Sequence, residues 1–467
     1  MAEIIPIRGI RYATTAGPMS KLVTPPYDVI NEITQERFYQ LHPYNIIRLE
    51  YGKTYPSDHE KDNRYTRAAA DFLSWQQIGI LFREPAPALY WHEQKFIHNG
   101  ELKTRRGLIC GVKLEPYEKG VILPHEETLP KHKADRLALM RACRANFSPI
   151  FGLYADEEKI VEQLLAKESN RSPDISFLDE NGIRHSMWVI TKQEIIGYTQ
   201  QALAEKRIYL ADGHHRYETA LNYRNERREK EGPQERKCSS DYVMMSLVNL
   251  YDPGLLILPP HRLIRHIRNL DKEKLLKDIQ ESFFLEKFPL TPDRENFKEF
   301  IKRLKERGKI TRQKIPWPES QLSDKSLVKI EPPVYTNRHQ SFGLYEGGNE
   351  LYLLTLKDKA FLSLPTKENY SLVRRNLDVS VLHTLILEKL LGIGDEQLVG
   401  GDYVTYTEKE REALAAVEAG EYQLALFLNP TKIEEIIAVA AQGEKMPQKS
   451  TYFYPKLITG LVINPLE

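Results

Sequence analysis

RIYLADGHHRYETAL, from Arg207 to Leu221, changes its periodicity midway. Ile208, Tyr209 and Leu210 form a short apolar run of strand type. From Tyr217 the spacing is helical, with Tyr217, Ala220, Leu221 and Arg224 three and four residues apart and no proline before Pro233. The stretch therefore predicts a strand feeding a helix through Asp212-Gly213-His214-His215-Arg216. A helix start presents N–H groups without intrahelical partners and the positive end of the dipole, which favours an anion by about 0.3–1 kcal/mol. Arg216 and two histidines add donors suited to phosphate. The same residues also fit an ordinary turn, with Asp212 as N-cap and Gly213 permitting a sharp bend. Together with Glu218, however, they are denser in polar groups than a turn requires, and the stretch is read as a phosphate-binding turn.

Working outward, the chain before this turn mixes strands and helices without simple alternation. Thr24-Pro25-Pro26-Tyr27-Asp28 is a stiff extended loop, because two prolines exclude a helix and fix the backbone around Asp28. Asn45 to Leu49 reads as a strand, and Ser57-Asp58-His59-Glu60 as a capping box for a helix reaching Gln77. Leu89 to Ile97 and Thr104 to Leu114 alternate around Asn99-Gly100, a hairpin signal. A helix opens at Lys133, Asp135 and Arg136, and Phe151 to Tyr154 is a further strand. This order suggests a mixed or closed sheet rather than a doubly wound parallel one.

After the turn, Asp241 to Leu250 and Leu255 to Leu258 read as strands. Helix, strand and helix follow from Lys272 to Gly308, the last helix over Thr291 to Arg307. Ile310 to Gln340 holds four prolines and reads as a linker. Phe342 to Tyr345 and Leu351 to Leu356 form a second hairpin. Leu377 to Leu391 is a helix, helices capped at Thr407 and Thr431 flank a strand over Leu424 to Leu428, and a last strand follows Pro455. The fold class is α/β (α+β mixed), in three parts: 1–265 as a core bearing the turn, 266–340 as an α/β insertion and linker, and 341–467 as an α/β region completing the site.

Lys and Arg number 66 against 65 Asp and Glu, a formal charge of +1, so no global field favours nucleic acid, and none is expected as a partner. The three cysteines, Cys110, Cys143 and Cys238, are widely spaced and form neither a disulfide framework nor a zinc pattern. No apolar run has the length of a signal core or membrane span, and the expected location is the cytoplasm.

PPYDVI (Pro25 to Ile30), HPYNIIRL (His42 to Leu49), HEETLPKHKADR (His125 to Arg136), ANFSPIFGLY (Ala145 to Tyr154), ADGHHRYETAL (Ala211 to Leu221), LPPHRL (Leu258 to Leu263), LDVSVLH (Leu377 to His383) and MPQKSTYFYPK (Met446 to Lys456) are spread along nearly the whole chain. Through them it resembles the bacterial domain-of-unknown-function family 1015. Gly213 to Arg216 after a strand is similar to the phosphate-binding turn of the ParB/sulfiredoxin superfamily, which includes ParB-type nucleotide-binding proteins, sulfiredoxins and free-serine kinases. That resemblance implies a mixed-sheet ParB/sulfiredoxin-like core with additional α/β subdomains. It also implies a small-molecule phosphotransferase, in first place a kinase of free L-serine making O-phosphoserine, with Mg2+ and ADP, ATP or pyrophosphate as donor. Sulfiredoxins carry their working cysteine where His214 stands, which argues against that activity. The alternative is a ParB-like nucleotide-binding switch or nucleic-acid binder, against which stands the absence of a helix-turn-helix signal or basic tract.

Phosphoryl transfer needs donors for the moving group, a metal held by carboxylates, and a base for the acceptor. Gly213, His214, His215 and Arg216 supply the cradle, and Lys449, Ser450 and Thr451 a second positive edge; Lys456, taken alone, reads as solvated surface. Asp28, Glu126, Asp135, Asp212 and Glu218 compete as carboxylates, and Glu126 is chosen as base, because it sits in a loop between His125 and Thr128 without a packing reason. Asp212, His214, His215 and Arg216 complete the catalytic set. Asp28, Asn45, Arg48, Thr128, Lys133 and Arg136 are the candidate substrate-binding residues, since Arg pairs bidentately with carboxylates. His125, His132, His214 and His215 match no zinc spacing, and the metal ligands are left open. Arg216 is expected at a solvated pocket mouth, where its removal would barely change stability.

Overall fold

The computed structural model describes residues 2–126, 130–231, 238–308, 340–358, 360, 370–394, 397–398 and 401–466. The chain divides into two compact units, one of residues 1–124, 128–256 and 453–467, the other of 125–127 and 257–452.

The first unit is built on a nine-stranded mixed sheet. Its strands run in the order Ile122–Leu123, Ile208–Asp212, Ile150–Tyr154, Tyr242–Asn249, Glu101–Lys113, Leu89–His98, Arg184–Ile190 and Ile175–Leu178, with Ile4–Ile5 also pairing Glu101–Lys113. Two pairings are parallel, Ile208–Asp212 with Ile122–Leu123 and Tyr242–Asn249 with Ile150–Tyr154; the rest are antiparallel. The hairpin read around Asn99-Gly100 forms with Ile97 opposite Leu102. Alternation along its second strand explains the two faces. Leu108, Cys110 and Val112 join Trp91, Met245, Leu247, Ile208 and Leu210 under the helices Gln193–Ala204 and His214–Glu231. Ile109 turns to the other face, where Tyr90, Met187 and Met244 pack against Ile7, Val23, Ile458, Leu461 and Val462.

Several local expectations are corrected. Asn45 to Leu49 is not a strand; Ile47–Glu50 is one helical turn, set up by Asn45 Oδ1 accepting from Ile47 N at 2.9 Å. A short, fully buried apolar run carries no periodicity that separates strand from helix. The helix Arg64–Gln77 starts at Asn63 rather than near Ser57, with Asn63 Oδ1 capping Tyr65 N and Thr66 N while Thr66 Oγ1 accepts from Asn63 N. The last strand follows Pro455 as expected, at Asn464–Pro465, where it pairs with Ala145–Asn146, and a further short strand, Tyr452–Tyr454, precedes Pro455.

The second unit carries a six-stranded antiparallel sheet, ordered Phe283–Pro289, Glu350–Leu356, Ser341–Tyr345, Leu424–Phe427, His261–Ile264 and Val404–Thr407. Phe297, Phe300, Ile301 and Leu304 of the helix Phe297–Arg307 bury against Tyr345, Leu351, Leu353 and Phe427. That helix begins six residues after the expected Thr291, whose hydroxyl instead bonds Asp293 and Asn296 in the preceding turn. Most of the linker over Ile310 to Gln340 lies outside the described residues. Among the described residues, no helix is long and apolar enough to cross a membrane.

Candidate functional site

The strand Ile208–Asp212 is buried except at its last residue, and its chain turns at Gly213. Gly213 has φ +94°, a conformation L side chains rarely adopt, and its carbonyl accepts from Tyr217 N at 3.0 Å. The helix therefore starts at His214, three residues before the helical spacing becomes readable, and runs 18 residues. His214, His215 and Arg216 form its first turn, where backbone N–H groups have no acceptor within the helix and the dipole is positive. A Cβ at 213 would also meet the Arg216 guanidinium at 3.0 Å. Gly213→Ala is expected to destabilise the protein by about 1–3 kcal/mol through the strained φ; a urea midpoint unchanged from wild type would show that the turn adapts without strain.

Arg216 does not stand at a solvated mouth. It is 8% exposed, and its Nη1 donates to Ser148 Oγ (3.1 Å) and Pro149 O (2.8 Å). The Ser148 hydroxyl in turn donates to Glu50 Oε1 at 2.9 Å. Glu50, 3% exposed, faces Arg136 Nη1 at 3.4 Å, and its backbone oxygen accepts from the same nitrogen at 2.9 Å. Arg136 also holds Asp135 through Nε and Nη2 (2.8 and 2.6 Å) and lies over the Tyr27 ring, 4.1 Å from its centroid. Tyr65 (2.7 Å) and Arg64 bond the other oxygen of Asp135. Two guanidiniums and a buried carboxylate thus meet around a cavity of about 30 Å³ lined in part by Glu50, Arg136, Asn146, Ser148 and Arg216.

The charges in this network set one another. Burial lifts the Glu50 carboxyl above its ordinary range, with Arg136, Arg216 and the Ser148 hydroxyl pulling it back. Burial also acts to raise Asp135, but Arg136, Tyr65 and Arg64 outweigh it and hold the group low. The Tyr27 phenol is pushed up by burial against the opposing pull of Arg136 and Arg216. Such a network fixes the Arg216 guanidinium from behind, through Ser148 and Pro149.

Of the remaining candidates in this unit, Asp212 accepts from Lys456 Nζ at 2.8 Å and has Arg216 Nη2 at 3.8 Å. Lys456, read from sequence as solvated, is 16% exposed in its side chain and belongs to the turn. His214 is buried and His215 half-buried. Lys133 pairs with Glu218 at 3.0 Å, which ties the helix Pro130–Cys143 to the first turns of His214–Glu231. Asp28 is exposed, next to the buried Tyr27. The Asn45 amide is committed to Lys21 O (2.7 Å) and Ile47 N, and Arg48 Nη2 donates to Tyr39 O (3.1 Å) with its plane over the Tyr39 ring.

Glu126, Lys449, Ser450 and Thr451 belong to the second unit and meet there. Glu126 Oε1 accepts from Lys449 N at 3.1 Å, His125 Nε2 lies 3.2 Å from Thr451 Oγ1, and Met446 N donates to His125 O at 2.6 Å. Ser450 is fully buried, its hydroxyl on Pro447 O and its carbonyl on Thr431 Oγ1. Thr128 lies outside the described residues. Among the described residues, no group of three or more His, Cys, Asp or Glu side chains is placed to hold a metal ion.

Sequence reasoning missed Glu50, Tyr27 and Ser148. Tyr27 and Ser148 lie inside quoted motifs, and Glu50 follows Leu49 directly. The signal was an acid ending an apolar run, hidden once that run was read as a strand.

No curated protein matches the chain. Among solved structures, a free serine kinase in complex with AMP is 12% identical, with 74% of this chain and 86% of that one covered and a TM-score of 0.32. SbnI with a C-terminal truncation, from Staphylococcus aureus, is 14% identical over 77% of this chain and 87% of that one, with a TM-score of 0.33. A conserved hypothetical protein from Pyrococcus furiosus gives 12%, 75%, 92% and 0.32. Likenesses this distant carry no argument about the reaction. The family model is different in kind: residues 4–380 match the one described as protein of unknown function (DUF1015), and the chain belongs to that family.

Proposed function

We propose that this protein is a cytoplasmic small-molecule phosphotransferase with a ParB/sulfiredoxin-like core, and within that class a kinase of free L-serine producing O-phosphoserine. The observation that carries the reading is the strand-turn-helix at Asp212 to Arg216. There a left-handed glycine opens an 18-residue helix beside a guanidinium held from behind and an ammonium, Lys456, held by Asp212. Helix N–H groups, dipole and cations converge where a phosphate would sit. The turn supports phosphate binding only; free L-serine as acceptor is what the resemblance to a superfamily that includes free-serine kinases implies. In this reading Arg216 and the backbone of His214 and His215 bind the donor's phosphate, and Lys456 balances its charge. Asp212 orients Lys456, and Arg136 and Glu50 position Arg216 through Ser148.

Mg2+ fits as an ion brought by the donor, since it binds through substrate phosphates and one or two carboxylates rather than a protein cage. Asp212 is the carboxylate at the turn that would hold it. When bound, it would neutralise charge on the transferring group. Incubating the protein with L-serine, Mg2+ and ADP, ATP or pyrophosphate in turn is expected to yield O-phosphoserine by mass spectrometry with one of the donors. No product with any of them removes the serine assignment, and nucleotide binding without product would favour a nucleotide-binding switch.

A further inference from the structure

The sheet of the first unit carries another buried guanidinium that the proposed reaction does not use. Arg105 is 1% exposed and lies on the sheet face of Gly107 and Ile109, away from the helices His214–Glu231 and Gln193–Ala204. Its Nε and Nη2 both donate to Gln94 Oε1, and its plane covers the Phe151 ring, with Cζ 4.8 Å from the centroid. Its Nη1 is enclosed and has no hydrogen-bond partner among the described residues. Asp252 and Tyr454 act on it from farther off, and Asp252 commits its oxygens to Arg106 N (3.1 Å) and Gly254 N (2.7 Å). Burial pulls the Arg105 guanidinium down to about 9.

A second orphan lies on the same face of the sheet. Ser246 Oγ is fully buried and likewise has no partner among the described residues. It stands where a Cβ on Gly107 would go, 2.6 Å from that position, and Ser246 is register partner to Phe151, the ring under Arg105. Gly107 and Phe151 thus join the two orphans on one face. Phe453 stacks edge-on against Phe151 at 5.5 Å and Gln94 Nε2 donates to Lys456 O at 3.2 Å, so the 453–456 segment covers the spot.

We propose that Arg105 and Ser246 form a buried binding site for a small monovalent carboxylate. A buried guanidinium with an unmade hydrogen bond, and with Asp252 acting only from beyond ion-pair distance, is costly, and a guest of single negative charge lowers that cost. A guanidinium N–H and a hydroxyl on the same sheet face offer one donor each to the two oxygens of a carboxylate, whereas a phosphate dianion needs more donors and more positive charge. The carboxylate is either that of an amino-acid acceptor or that of a free small acid held as part of the fold. The site stands independently of the kinase reading, because its evidence is the two orphaned groups.

The test is a thermal-shift and calorimetric titration of the full chain with sodium acetate, L-serine and sodium chloride at constant ionic strength. Acetate is expected to raise the melting temperature saturably beyond chloride. Ser246→Ala is expected to weaken acetate binding about 10-fold, the loss of one hydrogen bond to a charged group, and Arg105→Gln to abolish it. L-serine acting with the same dependence on both residues identifies the acceptor's carboxylate as the guest; acetate acting alone identifies a free acid. No effect of acetate or serine beyond chloride overturns the proposal, as does an unchanged response in Ser246→Ala. That variant decides the matter where Arg105→Gln does not fold, since it removes only a hydroxyl. These readouts need no turnover, so failure of the kinase assay leaves them interpretable.

Discussion

Arg136→Ala is expected to cost about 3–5 kcal/mol of stability, the usual consequence of removing one partner from a buried ion pair. The guanidinium and Glu50 are 5% and 3% exposed, and Arg136 also holds Asp135, the Glu50 carbonyl and the Tyr27 ring. Without it, Glu50 keeps the Ser148 hydroxyl as a hydrogen-bond partner and the charge of Arg216 farther off. Glu50 has one escape, to take up a proton, and burial already pushes its carboxyl upward. The double variant Arg136→Met with Glu50→Leu removes both charges and should recover much of the loss, because an apolar pair of similar volume often matches a buried ion pair. Urea midpoints of the single and double variants measure this. Additive losses in the pair would show that Glu50 and Arg136 are not coupled and that the network behind the turn is misassigned.

How much of this was legible follows from which interactions are local. The Ile208–Asp212 strand, the turn glycine and the hairpin at Asn99-Gly100 declare themselves by period and turn chemistry within a dozen residues. Helix starts were less legible. Asn63 takes the role read into Ser57, because capping residues recur in any polar loop and only the backbone selects one. The support of Arg216 was not legible at all. Ser148 is 68 residues away and Lys456 lies 244 residues from Asp212, so their meeting is a property of sheet order, which no local pattern encodes. The same holds for Glu50, whose 98-residue separation from Ser148 hides an acid that a strand reading had turned into the edge of an apolar run.

Arg216→Ala is expected to lower turnover or donor affinity by about 10- to 100-fold, the loss of a charge-assisted interaction worth roughly 1.5–3 kcal/mol. It is also expected to lower stability, by about 1–3 kcal/mol, because Pro149 O and the Ser148 hydroxyl lose a buried donor. A fall in melting temperature therefore does not separate a phosphate ligand from a structural arginine, and two companion variants must. Ser148→Ala removes the hydroxyl behind Arg216 but leaves the guanidinium and its bond to Pro149 O; it should lower stability while sparing most of the activity. Arg216→Lys keeps the charge without the fork and should restore part of the donor affinity but not the full rate, since a compact ammonium does not copy the planar guanidinium fork between Pro149 O and a phosphate. Rates measured well below each variant's melting temperature, normalised to the folded fraction, isolate the site effect. Should Arg216→Ala melt early yet turn over within twofold of wild type, the guanidinium serves only the fold and the phosphate site lies elsewhere.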